Sequence, residues 1–235
     1  MSLLDVRGVM VRFGGVMAVG GVNLSAEAGQ VTGLIGPNGA GKTTLFNVIS
    51  GMQEPTAGEV YVSGINVTHE APHRRAKRGL ARTFQRLELF ASLSVSDNVR
   101  VAAELAGVPD VNGTVDELLE KVGVSNLEHT TAGDLPTGSA RLVEIARALA
   151  TMPRLLLLDE PASGLDDSET ERLGTLFREL AADGLGVLLV EHDMDLVMHV
   201  CDRIHVLDLG HVIAVGTPDE VQHDQAVLRA YLGTA

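Results

Sequence analysis

The sequence predicts an α/β fold: a mostly parallel sheet covered by helices, with an antiparallel β portion at its N-terminus and a helical insertion. Three patterns carry this expectation. Short apolar strands alternate with amphipathic helices along much of the chain. Residues 3–13 and 17–28 alternate like half-exposed strands around Gly14-Gly15, a hairpin signal. Residues 95–150 carry apolar side chains at helical spacing with no strand signal between them.

The elements follow in order. Gln30 to Ile35 is a short apolar strand that runs into a Gly-rich loop. A helix follows from Lys42 to about Ser50, stopped by Gly51. Gly58 to Ser63 reads as a further strand. In the insertion, Val99, Ala102, Ala103 and Leu105, then Val115, Leu118, Leu119 and Val122, recur at helical spacing. Leu155 to Leu158 is a buried parallel strand, followed by an amphipathic helix with Leu173, Leu176, Phe177 and Leu180 on one face. Strand Gly186–Val190, a short helix over 194–200, strand Ile204–Leu207 and a Gly210 turn into Val212–Val215 complete the chain.

Composition narrows the class. At 45 % hydrophobic and 21 % charged residues, the chain has ample material for a core, built from aliphatic residues because aromatics are only 3 %. No apolar run approaches the roughly 18 residues of a membrane span. Residues Met1 to Asp5 have neither a basic nor an apolar leader region, so no secretory signal is expected. Cys201 is the only cysteine, which rules out an internal disulfide and fits a reducing compartment. A net charge of −13 argues against a nucleic-acid partner. The one basic run, His73 to Arg78, reads first as a solvated helix face just before a strand, and second as a contact for an acidic partner or lipid headgroups.

Gly36-Pro37-Asn38-Gly39-Ala40-Gly41-Lys42-Thr43 fits the P-loop pattern, with a strand before it and a helix after it. Glycines let successive backbone N–H groups curl around an anion, and the following helix adds its positive end. Lys42 is expected on the β- and γ-phosphates, Thr43 on Mg²⁺ and Thr44 on the α-phosphate. The apolar strand 155–158 ends in Asp159 and Glu160. Asp159 is expected to hold Mg²⁺, and Glu160 to orient or deprotonate the attacking water. These motifs predict a P-loop NTPase (RecA-like) core that binds a nucleoside triphosphate with Mg²⁺. Alone they leave kinase, GTPase and transport ATPase open, although no Asn/Thr-Lys-x-Asp guanine reader occurs.

Further residues carry a resemblance. Phe13 precedes the Gly-rich loop, Gln85 lies in Arg82-Thr83-Phe84-Gln85, and Leu135-Pro136-Thr137-Gly138-Ser139 precedes a helix. Asp166 closes Ser163-Gly164-Leu165-Asp166, and His192 lies in Val190-Glu191-His192-Asp193. In this order the chain resembles an ATP-binding subunit of the ABC transporter family over essentially its whole length. The resemblance implies that Phe13 stacks on adenine and that Gln85 senses the γ-phosphate and Mg²⁺ beside the membrane-partner contact. It makes 135–139 the signature loop that completes a second subunit's site, Asp166 the D-loop aspartate and His192 the γ-phosphate switch.

It also implies one domain, with residues 1–86 and 147–235 as core and antiparallel subdomain and 87–146 as the helical signature subdomain. The implied partners are transmembrane permease subunits, a second ATPase subunit (identical or a paralogue) and, indirectly, a solute-binding protein. The implied location is cytoplasmic, peripheral on the inner face of the cell membrane. Ala71 to Arg74, Ala81 to Gln85, Leu135-Pro136, Glu191 to Met194 and the tail from Gly216 to Gly233 resemble the branched-chain amino acid importer branch. A lipopolysaccharide-export ATPase and a non-transport ABC ATPase are the alternatives.

The signature departs from the family's usual Leu-Ser-Gly-Gly-Gln. Pro136 replaces Ser, Thr137 the first Gly and Ser139 the Gln. Pro136 offers neither a hydroxyl nor an N–H, which weakens the expected grip on the partner's ATP. Gly138, the hydroxyls of Thr137 and Ser139, and a helix starting near Ser139 are expected to offset the loss. If the subunit works with a different one, this loop makes one of two ATP sites less active.

Overall fold

A computed structural model describes residues 2–232; Gly233, in the tail noted above, lies outside the described residues. The N-terminal hairpin forms from β1 (Ser2–Phe13) and β2 (Val16–Glu27). With β4 (Ala57–Val62) and β5 (Ile65–Asn66) it makes a four-stranded antiparallel sheet in the order β2-β1-β4-β5. The main sheet has six strands. They are β3 (Val31–Ile35), β6 (Leu80–Arg82), β7 (Leu155–Asp159), β8 (Gly186–Val190), β9 (Arg203–Asp208) and β10 (His211–Gly216), in the order β10-β9-β3-β8-β7-β6. All neighbours pair parallel except the β9–β10 hairpin. Strands β3, β7 and β8 are buried at every position, which explains their unbroken apolar runs.

Helix α1 (Lys42–Ser50) ends at Gly51, whose φ of 82° supplies the left-handed stop. Leu45, Phe46, Val48 and Ile49 on α1 pack with the antiparallel sheet and one face of the main sheet in one core cluster. A second cluster joins the opposite face to α6 (Asp167–Ala182) and to three helices of the insertion. Those three are α3 (Val95–Ala106), α4 (Val111–Lys121) and α5 (Thr137–Leu149). The remaining helices are α2 (Pro72–Lys77), α7 (Met194–Val200), α8 (Pro218–Gln222) and α9 (Gln225–Leu232).

Three local expectations change. The basic run is not wholly a solvated face: Arg75 on α2 is 1 % exposed. It donates to the carbonyls of Val48 and Ile49 at the end of α1 and to those of Thr68 and Glu70 just before α2. Arg78 pairs with Glu70. Leu105 is 85 % exposed, because it stands two positions from Ala103 and so on the opposite side of α3. Helix α5 starts at Thr137 rather than near Ser139, with Pro136 as its extended N-cap (φ −56°, ψ 152°).

Candidate functional site

Parallel register gathers the functional segments at one edge. Leu34 pairs with Val190 and Asp159 with Val190, so β3, β7 and β8 end side by side. Arg82 pairs with Leu157, so β6 delivers the Gln85 segment to the same edge. This is the carboxyl end of a parallel sheet, where open α/β folds bind ligands.

The loop from Gly36 to Thr43 needs its glycines for different reasons. Gly36 (φ 149°) and Gly41 (φ 104°) pass close to other backbone: an added Cβ would lie 1.9 Å from the Leu207 carbonyl oxygen and 2.4 Å from that of Ala18. Gly39 (φ 82°) faces open space. The N–H of Ala40 bonds the Pro37 carbonyl, closing the turn. Asn38 is exposed, as is Thr43, and Thr44 is half-buried. The N-cap of α1 is Gly41, with no side-chain cap, so the first N–H groups of the helix remain open to an anion.

Lys42 is 6 % exposed and folds back so that Nζ donates to the carbonyls of Gly36 (2.7 Å) and Pro37 (3.1 Å). Burial lowers its pKa, opposed by the charges of Glu160 and Asp159. Phe13, at the end of β1, is 52 % exposed.

Three predicted residues meet directly. The Gln85 amide donates from Nε2 to Glu160 Oε2 at 2.8 Å, and His192 Nε2 lies 2.9 Å from Glu160 Oε1. Glu160 adopts φ 50°, unusual for a residue with a Cβ, and its N–H bonds the Val190 carbonyl at 2.9 Å. Asp159 is buried beside it. Asp166 caps α6 through a capping box with Glu169, whose N–H holds the Asp166 carboxyl below its usual range.

Leu135 to Ser139 lies at the N-terminus of α5, on the inserted helices. Gly138 is packed against α6: an added Cβ would meet Glu169 Oε1 at 2.3 Å.

Four residues near the site were not assigned roles from sequence. Arg82 bonds Asp159 (2.9 Å), Asn47 (2.8 Å) and Ser50 (2.8 Å). Arg141, on α5, donates to the carbonyls of Phe84 and Gln85 and pairs with buried Glu144. Opposite charges three apart on an otherwise apolar helix face were the available signal for that pair. Burial pushes the Glu144 carboxyl up, with Arg141 opposing. Glu191 accepts N–H bonds from Ala162 (2.7 Å) and His192 (2.9 Å) while 4 % exposed. Tyr231 on α9 approaches the Gly36 backbone, and burial pushes its hydroxyl up to about 12.

Residues 19–163 match the family described as ABC transporter. The chain belongs to the ABC transporter family. Residues 211–235 also match a family described as branched-chain amino acid ATP-binding cassette transporter.

The high-affinity branched-chain amino acid transport ATP-binding protein BraF of Pseudomonas aeruginosa is 41 % identical, over 99 % of this chain and 98 % of the relative. The corresponding LivG of Escherichia coli is 39 % identical over the same shares. Among solved structures, an ABC transporter's ATP-binding cassette in its ADP conformation superposes with a TM-score of 0.90 at 32 % identity, covering 99 % of both chains. A nucleotide-free cassette gives 0.88 at 31 % identity, covering 98 % of this chain and 99 % of that one. The predicted fold class therefore holds: an ABC ATPase with an antiparallel β subdomain and a mixed, mostly parallel sheet. This chain is an ABC transporter ATPase and a component of a transporter complex. No helix among the described residues is long and apolar enough to cross a membrane.

Proposed function

We propose that this ABC ATPase powers import of branched-chain amino acids or related small polar solutes. The observation that carries the reading is the full-length similarity to BraF and LivG, joined to the match of its tail. In this reading the chain is cytoplasmic and sits on the inner face of the membrane against permease subunits. A solute-binding protein acts through those permeases. A groove of about 960 Å³ between α2–β6 and α3–α5 suits a permease segment, since Phe90, Leu105 and Met152 offer exposed apolar surface at it. We assign residues 87–146 to a helical subdomain carrying the signature, and 1–86 with 147–235 to the nucleotide-binding core.

Adenine stacks on Phe13, and the phosphates lie along 36–44 with Lys42 neutralising charge. The oxygen donors Thr43, Gln85 and Asp159 fit Mg²⁺. When bound, Mg²⁺ would supply positive charge that offsets the negative charge of the phosphates. Glu160 orients the attacking water and accepts its proton, while His192 and Gln85 fix the Glu160 carboxylate and line the γ-phosphate. Lys42 takes up charge developing on the transferred group. A second ATPase subunit closes the site with its own loop equivalent to 135–139, and Asp166 lies at that junction.

The test is uptake of radiolabelled leucine by cells lacking this chain. Uptake is expected to fall on deletion and to return with the wild-type chain but not with Lys42→Ala. Uptake unaffected by deletion overturns the assignment.

A further inference from the structure

Glu191 sits among groups that a purely structural position would not gather. It is 4 % exposed, yet it carries a carboxylate rather than an apolar side chain. Burying such a group is costly unless every lone pair finds a donor. Here Oε1 accepts from the Ala162 N–H at 2.7 Å. Oε2 accepts from the His192 N–H at 2.9 Å and, more weakly, from the Asp193 N–H at 3.5 Å. One side chain thus ties the loop after β7 to the loop after β8.

Each loop carries a residue of the water site. Ala162 belongs to the turn that starts at Glu160, whose N–H bonds the Val190 carbonyl and whose own carbonyl accepts from the Ser163 N–H at 3.2 Å. Glu160 itself holds φ 50°. A non-glycine residue there costs on the order of 1–3 kcal/mol and persists only where its surroundings over-determine it. The Ala162–Glu191 bond is part of that constraint. On the other side, the same carboxylate fixes the backbone of His192, whose Nε2 meets Glu160 Oε1.

We infer that Glu191 is a positioning residue for ATP hydrolysis: its buried carboxylate sets the relative placement of Glu160 and His192 by clamping both loops. The inference rests on the assignment of Glu160 and His192 made above. Glutamine fills the same volume but has one acceptor oxygen, so its amide N–H would face a backbone N–H in a place water does not reach. Misplacement of about 1 Å at a reacting centre costs up to roughly 10²-fold in rate.

The experiment compares steady-state phosphate release by the purified transporter complex carrying this chain in wild-type, Glu191→Gln, His192→Ala and doubly substituted forms. Equilibrium binding of ADP and thermal melting are followed in parallel, with Glu160→Gln as control. Glu191→Gln is expected to lower kcat by roughly 10–100-fold. The KM for ATP and the affinity for ADP stay within about twofold, and the double variant is no slower than His192→Ala within about twofold, because residues acting as a unit are non-additive. Should Glu191→Gln fail to fold, Glu191→Asp is read in the same way, since it keeps both oxygens but withdraws them by one methylene.

Unchanged kcat overturns the inference, as does a fall in kcat matched by weakened ADP binding and melting. So does full additivity with His192→Ala. Near-wild-type turnover in Glu160→Gln overturns instead the site assignment on which the inference rests.

Discussion

Glu160 shows how hydrogen-bond partners, and His205 how burial, set the behaviour of single side chains here. Glu160 is held between Gln85 and His192, with Asp159 buried next to it. Replacing its carboxylate by an amide removes the proposed proton acceptor but leaves the loop 36–44 untouched. Glu160→Gln is therefore expected to keep ATP affinity while turnover falls by about 10²–10⁴; a phosphate-release assay beside nucleotide binding checks both halves.

His205 on β9 is 4 % exposed, and neither ring nitrogen has a hydrogen bond of good geometry among the described residues. Burial, then the charge of Arg203, lowers its pKa from 6.5 to about 4, with the Ser25 backbone opposing weakly. In the unfolded chain this imidazole takes up its proton below about pH 6.5, while the folded chain resists until about pH 4. The unfolded state binds more protons across that window, so stability falls as pH drops from 6.5 to 4, by about 3 kcal/mol in total. Denaturant titrations of wild type and His205→Leu at pH 7 and pH 4 measure it. The wild type is expected to lose that much more than the variant.

At the scale of elements, the loop from Gly36 to Thr43 separates conformational need from space. Gly39 and Gly41 both have positive φ, but only Gly41 is pressed against another backbone. Gly39→Ala is expected to cost about 1–2 kcal/mol of stability from the left-handed conformation alone. Gly41→Ala must also displace the Ala18 carbonyl from 2.4 Å, which shifts β2 against α1 and disturbs the loop. A clearly larger drop in melting temperature is expected for Gly41→Ala, together with loss of ATP binding. Equal melting temperatures for the two variants would contradict this account.

The same loop explains what the sequence could disclose. Local chemistry wrote Gly41 before α1, Gly51 after it and the apolar runs of β3, β7 and β8 directly into the order of residues. Arg75, Arg82 and Glu191 stayed hidden because their partners are backbone carbonyls, backbone N–H groups or side chains far along the chain. Arg82 reaches Asp159 only because β6 pairs with β7, which nothing near Arg82 in sequence announces. Likewise Arg75 reads as one charge in a basic run until α2 folds over the end of α1. The site residues that were legible belong to contiguous motifs; those that were not depend on strand order or on helices folding over distant loops.

At the scale of the whole molecule, the irregular loop 135–139 is the proposed junction between two subunits. Helix α5 presents its N-terminus there without a side-chain cap, and Pro136 adds no N–H. Gly138 is held against the Glu169 carboxylate, which places negative charge beside a loop proposed to meet a partner's γ-phosphate. The usual serine would add a hydroxyl, and a hydrogen bond to a charged group is worth roughly 1.5–3 kcal/mol. Each such bond lost weakens association by about tenfold or more, and in a symmetric pair it is lost twice. In the Glu160→Gln background with ATP, the chain alone is expected to elute as a monomer at micromolar concentration. Adding Pro136→Ser and Ser139→Gln to that background should shift it toward a dimer, while ATP binding by the monomer stays the same. A stable homodimer of the Glu160→Gln chain without those changes would show that Thr137, Gly138 and Ser139 suffice. The loop would then be a working variant rather than the weaker half of an unequal pair.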